Sequence, residues 1–296
     1  MDNVEIMLQE SVNEMFMRAK AGGGSRLMNA GISDHEIRST FGKGSNTPGP
    51  DGISSKLVDE ADRNSMHMCL RMLWNNAWSA GYFITEWKQE NRVVIPKIGK
   101  DDYNECNSYR TVSVTSCLGK RFEHITSQRL LSTLESLNFD DSQFAYMKER
   151  SATQALLILV EQVKKALIQG QKVGVVFYDF TDAFGSVNRN RLLYKLGNDF
   201  GISGRLFLHI HSFLSDRFAR IKIDNTLGEW IESEVGTSAG TALGPLLFIV
   251  DVHDVPHCIS PKFADDMVTV AADDDITYVE QKLQQTTNDL MNWSQN

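Results

Sequence analysis

Hydrophobic positions divide the chain into helical and strand-like stretches. Residues 2–20 read as a helix. SDHE at 33–36 is a capping-box pattern, with Ser33 as N-cap and Glu36 three residues on. From Leu57 to Trp78 apolar residues recur at helical spacing, and the pattern assigns this stripe, Met68, Met72 and Leu73 included, to core packing. Turn residues crowd NTPGPDG at 46–52. RVVIP at 92–96 predicts a strand that stops at Pro96, and KIGKDDYNECNSYR follows as a polar, partly basic loop. ATQALLILVEQVKKALIQG at 152–170 predicts an amphipathic helix stopped by Gly170. KVGVVFYDF at 172–180 is a run of β-formers and predicts a buried strand. Asn188 caps a helix expected to run through Leu196, and GRLFLHIHSFL at 204–214 predicts another. RIKID and WIESEV on either side of NTLG predict a hairpin. GTALGPLLFIVDVHDV reads as loop then helix, and VEQKLQQTTNDLMNW as a closing helix. The chain shows no internal repeat and no low-complexity linker.

Composition narrows the class. With 296 residues, 42% of them apolar and 23% charged, the chain can bury a sizeable core as one large domain or two smaller ones. Cys69, Cys106, Cys117 and Cys258 form no CxxC pair, which points away from a disulfide framework or structural zinc and towards a reducing compartment. His209, His211, His253, His257 and Cys258 have no zinc-ligand spacing, and structural or surface roles are expected for them. No apolar run reaches the ~18 residues of a membrane span, and MDNVEIMLQE lacks a signal-peptide pattern. The expectation is a soluble intracellular protein of the nucleus or cytoplasm, with no membrane partner. A net charge of −8 weighs against a nucleic-acid partner. A locally basic stretch from Lys88 to Arg129 weighs the other way.

KFADDMVTVA at 262–271 raises a sharper question, because Asp265 and Asp266 interrupt an apolar, strand-like run. The pattern puts Ala264-Asp265-Asp266 at a hairpin turn with strands on both sides. One reading is structural, since Asp favours turns. The other takes in Asp179, which ends the strand in VVFYDF. Carboxylates from two strand ends suit a divalent cation: Mg²⁺ takes hard oxygen ligands, commonly a few carboxylates plus substrate phosphates. Two such ions about 3.5–4 Å apart clamp the attacking and leaving oxygens in phosphoryl transfer.

At this point the chain resembles the reverse transcriptases of non-LTR (LINE-like) retrotransposons. The likeness runs in order from about residue 46 to the last residue. TPGPDGI (47–53) resembles the opening finger segment, and VVIPKIGK (93–100) with SYRTVSV (108–114) resembles the strand–loop–YRPIS pattern. QFAYMKERSATQAL (143–156) resembles the segment before the palm, and VVFYDFTDAFGSV (175–187) the first catalytic motif. FLSDRFARIKI followed by GTSAGTALGPLLFIVDVHDVP resembles the template-gripping motif with its lead-in, and KFADD the second catalytic motif, of the form (F/Y)xDD. The resemblance implies an α+β right-hand polymerase of fingers and palm, with helices packed on an antiparallel palm sheet. It implies a helical N-terminal extension over 1–45, fingers with the start of the palm over 46–170, and palm over 171–296. It further implies that the palm is incomplete at its C-terminal end, that the thumb is absent, and that the endonuclease of many relatives is missing upstream.

The implied activity is RNA-directed DNA polymerisation with two Mg²⁺ ions, or Mn²⁺ in their place, acting on an RNA template, a DNA primer and dNTPs. Asp179 and Asp265 carry over as metal ligands, with Asp266 completing the carboxylate set. Arg110 resembles the finger arginine that grips the triphosphate, with Lys97 and Lys100 assisting. By family position Phe184 is the aromatic gate against a ribose 2′-hydroxyl, the alternative being a buried packing ring. Gly236, Gly240 and Gly244 suit close backbone approach to template or nucleotide, or the turn before a helix. The chain departs from the family at Ala239, usually Gln, at Gly185, often Asp, and at Thr111, usually Pro. Two alternatives remain: an RNA-dependent RNA polymerase, and an inactive remnant that only binds nucleic acid or a partner.

Overall fold

In chain order the first elements are α1 (Asn3–Lys20), α2 (Arg26–Asn29), α3 (Asp34–Arg38), α4 (Ser55–Glu60), α5 (Arg63–Ser79), β1 (Gln89–Pro96), β2 (Tyr109–Thr115) and α6 (Cys117–Ser136). Then come α7 (Ala152–Ile168), β3 (Lys172–Tyr178), α8 (Arg189–Asn198), α9 (Gly204–Leu214), β4 (Phe218–Ile223), β5 (Thr226–Leu227) and β6 (Ile231–Glu232). The last are α10 (Gly244–Asp251), β7 (Lys262–Phe263), β8 (Asp266–Asp273) and α11 (Ile276–Gln295). This is a computed structural model, and it describes residues 3–42, 47–61, 63–137, 139–256 and 261–295. The expected α+β architecture is met at the level of sheets with packed helices. Among the described residues no helix is long and apolar enough to cross a membrane.

The chain forms two compact units, each assembled from two separated segments. The first takes Met1–Leu137 and Phe184–Gly244. Its sheet has the order β2-β1-β4-β5, with β6 also on β4; β1 pairs β2 antiparallel and β4 parallel. Helix starts follow the sequence signals. Ser33 and Glu36 close the expected capping box, and Ser54, Ser116 and Asn188 accept from the amides of Leu57, Gly119 and Arg191. Helix α1 packs on α8 and α9, burying Val12 completely. The core is aromatic: Trp74, Trp78, Phe83, Phe122, His209 and Phe213 are all buried.

Three expectations change in this unit. The stripe from Leu57 to Trp78 splits into α4 and α5, and Met68 and Met72 are 59% and 64% exposed, with Leu73 also outward. The buried face instead follows Leu70, Trp74, Ala77 and Trp78, the i, i+4, i+7, i+8 stripe that brings both indoles inward. The expected hairpin turns earlier than NTLG: Ile223 pairs Thr226, so Asp224 and Asn225 form a two-residue turn. Asp224 takes a φ of 49° there. The basic stretch is a surface only in part: Lys88, Arg121 and Arg129 are buried, whereas Lys97, Lys100 and Arg110 are exposed.

The second unit takes Asn138–Ala183 and Pro245–Asn296. Its sheet, β3-β8-β7, is antiparallel throughout. Helix α11 covers one face: a Cβ on Gly174 would meet Leu283 and Val279, and the Tyr178 hydroxyl lies 3.1 Å from that of Thr287. Helix α7 packs on β3, β7 and β8. It starts at Ser151, whose side chain accepts from the Gln154 amide, and stops at Gly170 with φ 78°, as the sequence predicted. Strand β3 is not the buried strand its β-formers suggest: it is the edge of its sheet, and Phe177 is 72% exposed. A run of β-formers reports strand propensity and does not say how many neighbours the strand gains.

Candidate active site

The two catalytic-type motifs meet at one end of the second unit's sheet. The β3–β8 ladder ends at Tyr178↔Met267, so the next residue on β3, Asp179, and the residue preceding Met267, Asp266, flank the same sheet end. Phe263 pairs Asp266, which leaves Ala264 and Asp265 as a two-residue turn. The expected turn with strands on both sides is therefore present. Ala264 has a φ of 55°, in the left-handed region that L side chains avoid. Its amide N–H donates to Gln143 Oε1 at 3.0 Å. Asp179 and Asp266 are exposed and Asp265 is half-buried. Phe180, beside Asp179, stands edge-on to Phe248 and Trp293, with centroids 6.4 and 6.2 Å away.

Burial pushes the Asp265 carboxyl above the ordinary range, and the charges of Asp266 and Asp179 add to the rise. Burial is the main cause, and the neighbouring carboxylates add to it. The donor set fits a hard divalent cation: carboxylate oxygens at a strand end, whose mutual repulsion a cation relieves. Among the described residues no three His, Cys, Asp or Glu side chains converge closely enough to enclose an ion by themselves. A Mg²⁺ ion held by these carboxylates would need further oxygen ligands, which this ion commonly draws from water and substrate phosphates.

The remaining expected site residues lie in the first unit. Arg110 is exposed on β2 opposite Ile95, and Lys97 sits just past the end of the same hairpin, its amide donating to Ser108 O at 2.8 Å. Lys100 is exposed in the loop beyond. On the same strand as Arg110, the Ser113 amide donates to Ala239 O at 2.8 Å. Gly240, at φ 104°, brings its Cα so close that a Cβ would stand 2.5 Å from Ser113 O. Close backbone approach is thus what Gly240 provides, towards β2. Phe184 is half-buried, and its carbonyl accepts from the Thr237 amide at 2.8 Å. Of the histidines, His209 lies in the aromatic core, His211 sits tilted against Phe16 with centroids 4.8 Å apart, and His253 Nδ1 lies 2.8 Å from Val250 O. His257 and Cys258 fall outside the described residues.

Sequence reasoning missed the groups that shape these loops. It placed no helix or strand over 117–136, which is α6. From that helix the fully buried Glu123 reaches the glycine-rich loop, where its Oε2 accepts from the amides of Ala242 at 2.6 Å and Leu243 at 3.3 Å. Burial raises the Glu123 carboxyl, outweighing Arg217 and the two amides. Arg217 reaches Glu90 at 3.2 Å, and Arg92 meets Glu90 at 2.8 Å. Burial works against the Glu90 charge, but Arg217 and Arg92 hold its carboxyl below the ordinary range. Arg189 donates to the carbonyls of Gly236 and Val235 at 2.9 and 3.0 Å; burial, with the like charge of Arg217, lowers it to about 10. No local signal marked Glu123, whose helical neighbours Gly119, Lys120, Thr126 and Ser127 are small or polar.

Residues 95–296 match the family of reverse transcriptases (RNA-dependent DNA polymerases). The chain belongs to the reverse transcriptase family. Relatives include the RNA-directed DNA polymerase from mobile element jockey of Drosophila melanogaster, 24% identical over 84% of this chain and 28% of that protein. The probable RNA-directed DNA polymerase from transposon X-element of the same fly is 25% identical over 77% of this chain and 25% of that protein. The Pol polyprotein from type-1 retrotransposable element R2 of Nasonia vitripennis is 23% identical over 78% of this chain and 22% of that protein. The expected membership among the reverse transcriptase domains of non-LTR retrotransposons is thereby met. This reverse transcriptase chain spans about a quarter of the length of the curated relatives it matches.

Proposed function

We propose that this reverse transcriptase domain extends a DNA primer along an RNA template, adding dNTPs by nucleotidyl transfer to the primer 3′-hydroxyl. The observation that carries the reading is the meeting of Asp179 with the Asp265–Asp266 turn at one sheet end, where the carboxyl of Asp265 is destabilised as an anion by burial and, to a lesser degree, by both neighbours. Two Mg²⁺ ions bound there supply charge neutralisation for the attacking and leaving oxygens. Asp179 and Asp265 hold them, and Asp266 adds to the negative field. Arg110, exposed on β2 and bearing a planar guanidinium, grips the triphosphate oxygens, with Lys97 adding a point charge. Phe184 screens the sugar against a 2′-hydroxyl. Gly240 keeps the glycine-rich loop tight against β2, so that Ala239 and its neighbours face template and nucleotide. In this reading β3, β8 and β7 are the palm sheet, the β1–β2 hairpin belongs to the fingers, and the work is done in the nucleus or cytoplasm.

Primer extension on an RNA template with Mg²⁺ tests the proposal, comparing the parent with Asp265→Asn. DNA synthesis in the parent that falls by about 10²-fold or more in the variant supports it. Equal synthesis by both refutes the assignment of Asp265. Equal use of ribonucleotides and deoxynucleotides favours an RNA-dependent RNA polymerase instead. A folded parent that binds primer–template without extending it is the outcome that favours a binding remnant, the reading that Ala239 in place of Gln motivates.

A further inference from the structure

The turn that carries Asp265 is held from outside its own hairpin. A two-residue turn with a positive φ ordinarily recruits glycine, asparagine or aspartate at that position. Here the residue is Ala264, at φ 55° and buried. Nothing in its own side chain stabilises that conformation. Gln143 does so: it is 1% exposed, and its Oε1 accepts both from the Ala264 amide at 3.0 Å and from the Ala145 amide at 3.0 Å. We propose that Gln143 is a positioning residue for the catalytic turn, holding Ala264 left-handed so that the adjacent Asp265 carboxylate stays aimed at bound metal. The inference rests on the reading of Asp265 as a metal ligand.

The surroundings of Gln143 are built to keep it still. Its backbone bridges β7 in parallel: the Phe144 amide donates to Lys262 O, and the Lys262 amide donates to Ser142 O, both at 2.8 Å. Asp140 and the Lys262 ammonium form an ion pair. Arg150 Nη1 donates to the carbonyls of Asp140 at 2.8 Å and Gln143 at 2.7 Å. The segment therefore acts as a bracket beneath the hairpin, and the amide of Gln143 is the point at which the bracket touches the turn. A ligand on a two-residue turn has few internal restraints, so a small loosening there misplaces a carboxylate oxygen, to which metal affinity is sensitive.

A purely structural staple and a positioning residue differ in what they move. Gln143→Met keeps the volume and removes the acceptor. The first measurement is a Mn²⁺ titration of the folded 296-residue chain by paramagnetic resonance, with no substrate present, on the parent, Asp265→Asn and Gln143→Met. The second is the half-saturating Mg²⁺ concentration in primer extension, with primer–template affinity measured alongside. Positioning predicts that Gln143→Met weakens Mn²⁺ binding and raises the Mg²⁺ requirement, each by about tenfold, with primer–template affinity unchanged. Adding Ala264→Gly, which adopts positive φ without help, restores part of the loss. A lower melting temperature with parental metal binding overturns the proposal while leaving the metal site standing. Mn²⁺ binding by the parent that Asp265→Asn does not weaken overturns the metal reading and this inference with it. Should Gln143→Met not fold, Gln143→Asn, shorter by one methylene, withdraws the acceptor while keeping an amide. Weakened Mn²⁺ binding in that variant supports the proposal, and parental binding overturns it.

Discussion

His209 makes the first unit sensitive to acid in a way that can be calculated. Its ring is fully buried on α9, with centroids 4.4 Å from Phe122, 5.2 Å from Trp78 and 5.4 Å from Phe83. Neither ring nitrogen has a partner of good hydrogen-bonding geometry. Burial drives its pKa down from 6.5 to about 3, the Tyr82 backbone offsetting a little of this and the charges of Arg129 and Lys88 adding to it. The folded ring therefore stays neutral to about pH 3, whereas the unfolded ring takes a proton at about 6.5. Below 6.5 the unfolded state binds more protons, so stability falls as pH falls. The loss accumulates at ~1.4 kcal/mol per pH unit, giving about 2 kcal/mol by pH 5 and about 5 kcal/mol below pH 3. His209→Phe removes the titration while keeping an aromatic ring in the cluster. Urea unfolding followed by the fluorescence of the neighbouring Trp74 and Trp78, at pH 7.5 and 5.0, reads the difference. The parent should lose about 2 kcal/mol more than the variant between these values. Glu123 titrates with the opposite sign, since a raised folded pKa favours the folded state in acid, but it is common to both chains and cancels. Parallel pH profiles for parent and variant would refute the reasoning.

Two further changes probe the glycine-rich loop. Gly240→Ala places a Cβ 2.5 Å from Ser113 O at a φ of 104°, which no side-chain movement relieves. The loop must leave β2, and dNTP incorporation should fall by about tenfold or more, read as kcat/KM, with the far-ultraviolet dichroism unchanged. Glu123→Leu strips the acceptor from the Ala242 and Leu243 amides and should cost about 2 kcal/mol or more in urea unfolding. Glu123→Gln keeps an acceptor oxygen and should cost less than half as much.

The parts of this fold legible in the sequence were those governed by short-range rules. The Ser33–Glu36 box, the Gly170 stop, the Asn188 cap and the Ala264–Asp265 turn each depend on a few adjacent residues, and each formed as expected. What escaped was set by partners far along the chain. Which face of α5 is buried depends on where Phe122 and His209 arrive, and the two indoles, larger than the methionines, occupy that face. Strand β3 reads as buried from its own residues, yet its burial is decided by how many strands flank it. The carboxylates of the candidate site were legible because adjacent charges in an apolar run are locally anomalous. Gln143 was not, because a single Gln in a polar segment carries no local anomaly, and its role appears only when Ala264, 121 residues later, is brought to it.

The same distinction limits what net charge says about where cations face water. Composition counts Lys88, Arg121, Arg129 and Arg217 as cations available to phosphate, but all four are buried. Arg129 is spent on Glu36 at 2.7 Å and on the carbonyls of Ala30 and Gly31; Arg121 meets Asp59 at 2.9 Å, and Arg217 meets Glu90. These guanidiniums organise the first unit from within. The cations left facing water around β1 and β2 are fewer, with Lys97, Lys100 and Arg110 among them, and they cluster at one hairpin. A −8 chain can therefore still present a local cluster of positive charge at this hairpin. Charge placement, and not charge total, is the quantity that bears on the nucleotide binding proposed for Arg110 and Lys97.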